Sequence, residues 1–164
     1  MRKTLIVLAG IVVLVVVNWG IHAREQLVSS GRVVLLELAP VDPRSLMQGD
    51  YMALRFKVAD DAFGRGASER SDGAVIVQVG DSDEGTFLRF DDGTPLAASE
   101  ARLRYRVRNG LPKFATNAFF FEEGHANDYA KARFGEFRVA SNGESILTGL
   151  RDAARRPLGA PSSR

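Results

Sequence analysis

The sequence contains no cysteine. Disulfides, thiolate metal sites and cysteine nucleophiles are thereby excluded, and the fold needs no covalent staple even in an oxidising compartment. Histidine is scarce: His22 and His125 are the only two. His22 sits at the end of an apolar run, so His125 alone is left for a Ser-His-acid triad, and no Gly-x-Ser-x-Gly elbow accompanies it. Between Lys3 and Arg24 there is no charged residue. A dominant field of one sign is missing as well. Arg2 and Lys3 account for the whole excess of 22 cations over 20 anions. The rest of the chain is balanced, which argues against nucleic acid as a partner, since phosphate neutralisation needs a net cationic surface. No internal repeat and no second domain boundary is visible.

The uncharged stretch is the first thing present. Residues 4–23 read TLIVLAGIVVLVVVNWGIHA. A helix of about 20 apolar residues crosses the hydrocarbon core of a bilayer. Trp19 near its far end suits the membrane–water boundary, and Arg2 and Lys3 ahead of it place residues 1–3 in the cytoplasm. A cleaved signal peptide is the competing reading. It wants small residues at the first and third positions before the cut, and Ile21 ahead of Ala23 fits poorly. The expectation is a single-pass inner-membrane protein. Residues 24–30 act as a linker, 31–150 form a domain in the periplasm or outside, and 151–164, with two prolines and few apolar residues, form a disordered tail.

The exported part reads as mainly β: an antiparallel sandwich or partly open barrel with one short helix. Gly31–Ala39 is a nearly continuous apolar run, as in a strand buried on much of both faces. From Asp50 to Val58 the pattern alternates, with Met52, Leu54, Phe56 and Val58 on the core side. Ala59–Gly73 is polar and Gly-rich, a loop with one helical turn near Asp60 to Phe63. Glu100–Val107 alternates again, setting Arg102, Arg104 and Arg106 toward water. Asn109-Gly110 marks a tight hairpin, and Phe134–Leu150 a closing one. Glu122–Arg133 suits a short helix. Of the triplet Phe119–Phe121, the outer two share one strand face and Phe120 takes the other. Coverage by the following helix is expected, against an apolar docking patch as the alternative.

The most conspicuous stretch is APVDPRSLMQGDYMALRF, Ala39–Phe56. Pro43 drives Asp42 away from the helical region, and Asp42 can then cap the short turn from Pro43 to Met47. Gly49 can supply a positive φ at strand re-entry. Asp50 can pair with Arg44, and the ring of Tyr51 can cover the corner. Pro43 and Gly49 are therefore structural turn residues, while Asp42, Arg44, Asp50 and Tyr51 form a candidate recognition corner. GDYMALRF resembles the signature of the GDYXXLXY family of bacterial membrane-anchored proteins. PVDPRSLMQ resembles that family's lead-in, FFFEEGHANDY its aromatic-plus-Glu segment, and FGEFRVASNGESILTGL its closing hairpin. The signature's last Tyr is Phe56 here, so no phenol is essential at that position. The resemblance implies an accessory or partner-binding role beside a polytopic membrane protein, with no defined chemistry and no cofactor.

Two further readings stand beside it. Ser45, Gly49-Asp50 and the following strand echo membrane-anchored serine hydrolases of the signal-peptidase-like type. The dipeptide there is Ser-Met rather than Ser45-Leu46, and Gly49 falls too close. The base would have to be Lys57, Lys113 or Lys131 with a depressed pKa. Glu122, Glu123, His125 and Asp128 offer metal-ligand types, but their spacing matches no established motif. Adjacent Glu122 and Glu123 diverge on any regular element, which makes a poor acid/base pair.

Overall fold

The computed structural model describes residues 2–39, 47–48, 51–64 and 71–159. One long helix, α1 (Arg2–Ser30), precedes everything else. Its apolar side chains are exposed on every side, Trp19 to 75% and Ile6 to 71%, and it has no polar face through the apolar run. In water such a surface would be driven to cover itself. Residues 24–30, expected as a linker, continue the same helix. The reason is local: Arg24–Ser30 contains neither Pro nor Gly, and Ser30 Oγ donates to Gln26 O (2.7 Å). Gly31 ends it, its N–H donating to Leu27 O (2.9 Å). A Cβ at Gly31 would collide with that same carbonyl and sit 3.1 Å from Arg138 Cβ.

Ten strands follow among the described residues: β1 (Arg32–Glu37), β2 (Met47–Gln48), β3 (Tyr51–Ala53), β4 (Gly73–Val79), β5 (Gly85–Phe90), β6 (Glu100–Arg108), β7 (Leu111–Phe114), β8 (Ala118–Phe120), β9 (Phe134–Val139) and β10 (Ser145–Arg151). They form three sheets, ordered β1-β9-β10, β2-β3-β8 and β5-β4-β6-β7, with every strand pair antiparallel. The sheets are also linked to one another. Leu35 bridges Glu84, Leu38 bridges Phe56, and Arg104 N–H donates to Gly143 O (2.9 Å). The result is a partly open wrap around one core. Val34 and Leu36, Val75 and Val77, Leu103, Phe114, Phe137 and Leu150 point into it from different strands. The Asn109-Gly110 hairpin forms as expected, both residues taking positive φ (54° and 72°).

Three further elements differ from the sequence reading. The strand through Tyr51 stops at Ala53, and α2 (Lys57–Phe63) begins where alternation predicted more strand. Met52, Leu54, Phe56 and Val58 are nonetheless all buried. A four-residue apolar pattern fits a strand running into a helix as well as a strand alone. The helix is favoured by Asp60 in its first turn and by the Lys57–Asp61 pair (2.6 Å). Phe63 then docks edge-on against Tyr105 (4.8 Å) and Phe90 (5.4 Å). Downstream, the helix expected over Glu122–Arg133 shrinks to α3 (Ala126–Tyr129), because Gly124 takes a φ of 85° and breaks it.

The third difference is the tail. Residues 151–159 are folded. Arg151 bridges Pro157, and Leu158 N–H donates to Leu150 O (2.9 Å). Asp152 organises the turn: its buried carboxylate accepts from the backbone N–H groups of Ala154 (2.8 Å) and Arg156 (2.9 Å) and from Arg156 Nε (2.9 Å). Apolar content alone missed this, because one carboxylate satisfies a polar backbone without a core. The Arg156 N–H holds the Asp152 carboxyl below the ordinary aspartate range, helped by the Arg156 guanidinium. A depressed folded pKa contributes stability above the unfolded value of about 3.9 and loses it as pH falls through the folded value. Asp152→Asn should therefore melt a few degrees lower than the wild type at neutral pH. The gap should close below about pH 4, as thermal melts across an acid series would show.

Candidate functional site

The sheet β2-β3-β8 carries what is visible of the signature corner. Asp42, Pro43, Arg44, Gly49 and Asp50 lie outside the described residues, as does Ser45. Tyr51 is described, in β3, directly opposite Phe120 of β8. Their rings lie 5.8 Å apart at 41°. Tyr51 is half-buried and Phe120 is 73% exposed. The pair forms an aromatic ledge on the outer face, since Met52 on the inner face is buried against the core.

Phe119 and Phe121 behave differently from Phe120, as the period of two requires. Both are covered by Tyr129 of α3, with ring centroids 5.0 Å and 5.3 Å away. Coverage by the following helix thus holds for these two and leaves the middle ring bare. α3 is pinned by His125, whose Nδ1 lies 2.8 Å from Asp128 Oδ2. That contact, with Glu122 nearby, raises the His125 pKa above the ordinary range.

The geometry around the hydrolase and metal readings is also plain. Lys57 is bonded to Asp61, which raises its pKa, the opposite of the depression a lysine base needs. Glu122 is 4.0 Å from His125 on an almost fully exposed side chain. No trio of His, Asp or Glu among the described residues is placed to hold a metal ion.

Sequence reasoning singled out Tyr51 and, separately, Phe120 but not their pairing, because cross-strand register is non-local. The signal that pointed to Phe120 was its odd position in a Phe triplet. No curated protein and no solved structure matches the chain. The GDYXXLXY protein family does match, over residues 13–150, from the middle of α1 to the last strand. With most of its length inside that match, the chain belongs to the GDYXXLXY family.

Proposed function

We propose that the protein is a membrane-anchored, non-enzymatic accessory module whose domain lies outside the cytoplasmic membrane and binds a polytopic membrane protein. The observation that carries this reading is the Tyr51–Phe120 ledge, in which an exposed Phe120 ring lies beside the half-buried tyrosine of the family signature. Aromatic side chains at exposed, rigid positions are the usual anchors of protein interfaces.

Retention of the anchor is supported by the helix itself. Its last turns do not hang free but pack beside β9 and β10, and the family match begins inside its apolar run. The orientation is supported by Arg2 and Lys3 ahead of the span. A partner sharing the bilayer is then met in two dimensions, where a small contact surface suffices because the anchor raises the effective concentration.

A photocrosslinking side chain placed at position 120 in living cells tests the reading. We expect a discrete adduct with an integral membrane protein. Phe120→Ser should cut recovery of that protein in mild detergent by about tenfold or more, as loss of an interface anchor does. Its effect on folding stability should stay within about 0.5 kcal/mol, as for other exposed sites. Absence of any protein adduct at position 120 would sink the proposal.

A further inference from the structure

Arg102, Arg104, Arg106 and Arg108 occupy every second position of β6. Leu103 and Tyr105 between them are buried, so the four arginines share the face that leaves the core. That face is one wall of a groove of ≈ 1100 Å³. Lys113 from β7 and Arg24 from α1 line it too. Anions answer only half of these cations. Asp91 pairs with Arg102 (2.7 Å), Asp72 with Arg108 (3.2 Å), and Glu144 stands 3.7 Å from Arg104. Among the described residues Arg24, Arg106 and Lys113 have no ion pair. The domain is balanced as a whole, so this local excess is a concentrated field and not a share of a general one.

The groove's position narrows the ligand. Arg24 directly follows Ala23, the last residue of the apolar run. One residue of helix rise is about 1.5 Å, so the cationic wall begins where the hydrocarbon ends. Leu27, one turn further on, adds an apolar side to the same groove. Cation next to apolar surface, at the level of the headgroups, is the composition that receives a phosphate with its glycerol and acyl chains. An acidic protein segment would be met by the charges but would make no use of that depth.

We propose that the β6 groove binds the headgroups of anionic phospholipids in the bilayer that α1 spans. The proposal rests on the anchored reading above. Lipid phosphates reach Arg24 first, and Arg106 and Lys113 supply the unpaired charge that selects anionic over zwitterionic headgroups. Seating a lipid there would fix the tilt of the domain on its helix and so the direction in which the aromatic ledge faces.

The full chain, purified in neutral detergent and delipidated, can be titrated with phosphatidylglycerol or phosphatidylcholine and read by native mass spectrometry. Each exposed cation near anionic lipid favours binding about fivefold. Phosphatidylglycerol should therefore be retained at least fivefold better than phosphatidylcholine, and replacing all three unpaired cations (Arg24→Gln, Arg106→Gln and Lys113→Gln) should abolish the difference. None of the three side chains is in the core or, among the described residues, in an ion pair, so the fold remains as an internal control by circular dichroism. Equal retention of the two lipids overturns the proposal, as does a preference that survives the triple variant. Displacement of the lipid by millimolar inorganic phosphate would assign the groove to a free anion and overturn it as well. Alkaline carbonate extraction of the starting membranes keeps the two readings apart. Loss of the protein from the membrane there counts against the anchor, while an integral protein with no lipid preference counts against the groove alone.

Discussion

Phe56→Ala should destabilise the domain by about 3–5 kcal/mol, the range for deleting a buried aromatic ring. A domain of this size is held by only about 5–15 kcal/mol, so the variant should be largely unfolded at 37 °C or close to it. Phe56 is 2% exposed and its ring meets Phe137 edge-on at 5.2 Å. It also joins elements far apart in sequence. Its backbone bridges Leu38 at the end of β1, and it immediately precedes α2. Beneath the ring lies Gly135, where a Cβ would stand 2.8 Å from Phe56 Cε1. The two positions are matched in shape, so a vacated ring site leaves a cavity that a glycine backbone cannot fill. Urea titration should show the midpoint falling with an unchanged slope. A loss below about 1 kcal/mol would mean that the last signature position is not a packing position. This explains why phenylalanine serves where the family signature has tyrosine: the site is apolar and asks for a ring, not a hydroxyl.

How much could be read from the chain follows from which forces are local. β6 and the two glycine-containing hairpins were legible because alternation and positive-φ residues act over a few positions. Arg104 and Arg106 were rightly set toward water for the same reason, whereas Arg102 is half-buried against Asp91. What escaped was set partly by contacts far apart in sequence and partly by local polar bonds and backbone continuity that an apolar pattern does not register. α2 replaces strand because Phe63 finds Phe90 and Tyr105 across the core. The tail folds because Asp152 gathers backbone N–H groups that composition does not reveal. The helix through 24–30 was missed by treating the end of apolar character as the end of helix, although nothing there breaks one before Gly31. Of the candidate site, Tyr51 was legible from the signature. Phe120 opposite it, and the meeting of Arg24 and Lys113 with the β6 arginines, required the topology.

Val13→Arg together with Leu14→Arg should abolish export of the domain. Each arginine at the centre of a spanning helix costs about 2.5–3.5 kcal/mol, and each lost aliphatic side chain removes a further ~0.3–0.6 kcal/mol. The pair therefore costs roughly 6–8 kcal/mol on that insertion scale, about four to six orders of magnitude in partition. One arginine alone is partly tolerated, since its long stem can reach toward the interface. Two adjacent ones, about 100° apart around the helix, cannot both lean toward the same gap. The helix offers no polar face to hide them either, since its apolar side chains are exposed all round. A reporter active only outside the cytoplasm, fused after Arg164, should be active in the wild type, weakened in the single variant and silent in the double one. Carbonate-resistant protein should fall in the same order. The same fusion tests orientation, because a wild-type reporter active only in the cytosol would reverse the topology. The aromatic ledge and the β6 groove would then face the wrong compartment for the partner and the leaflet assigned to them, and both assignments would fall with it.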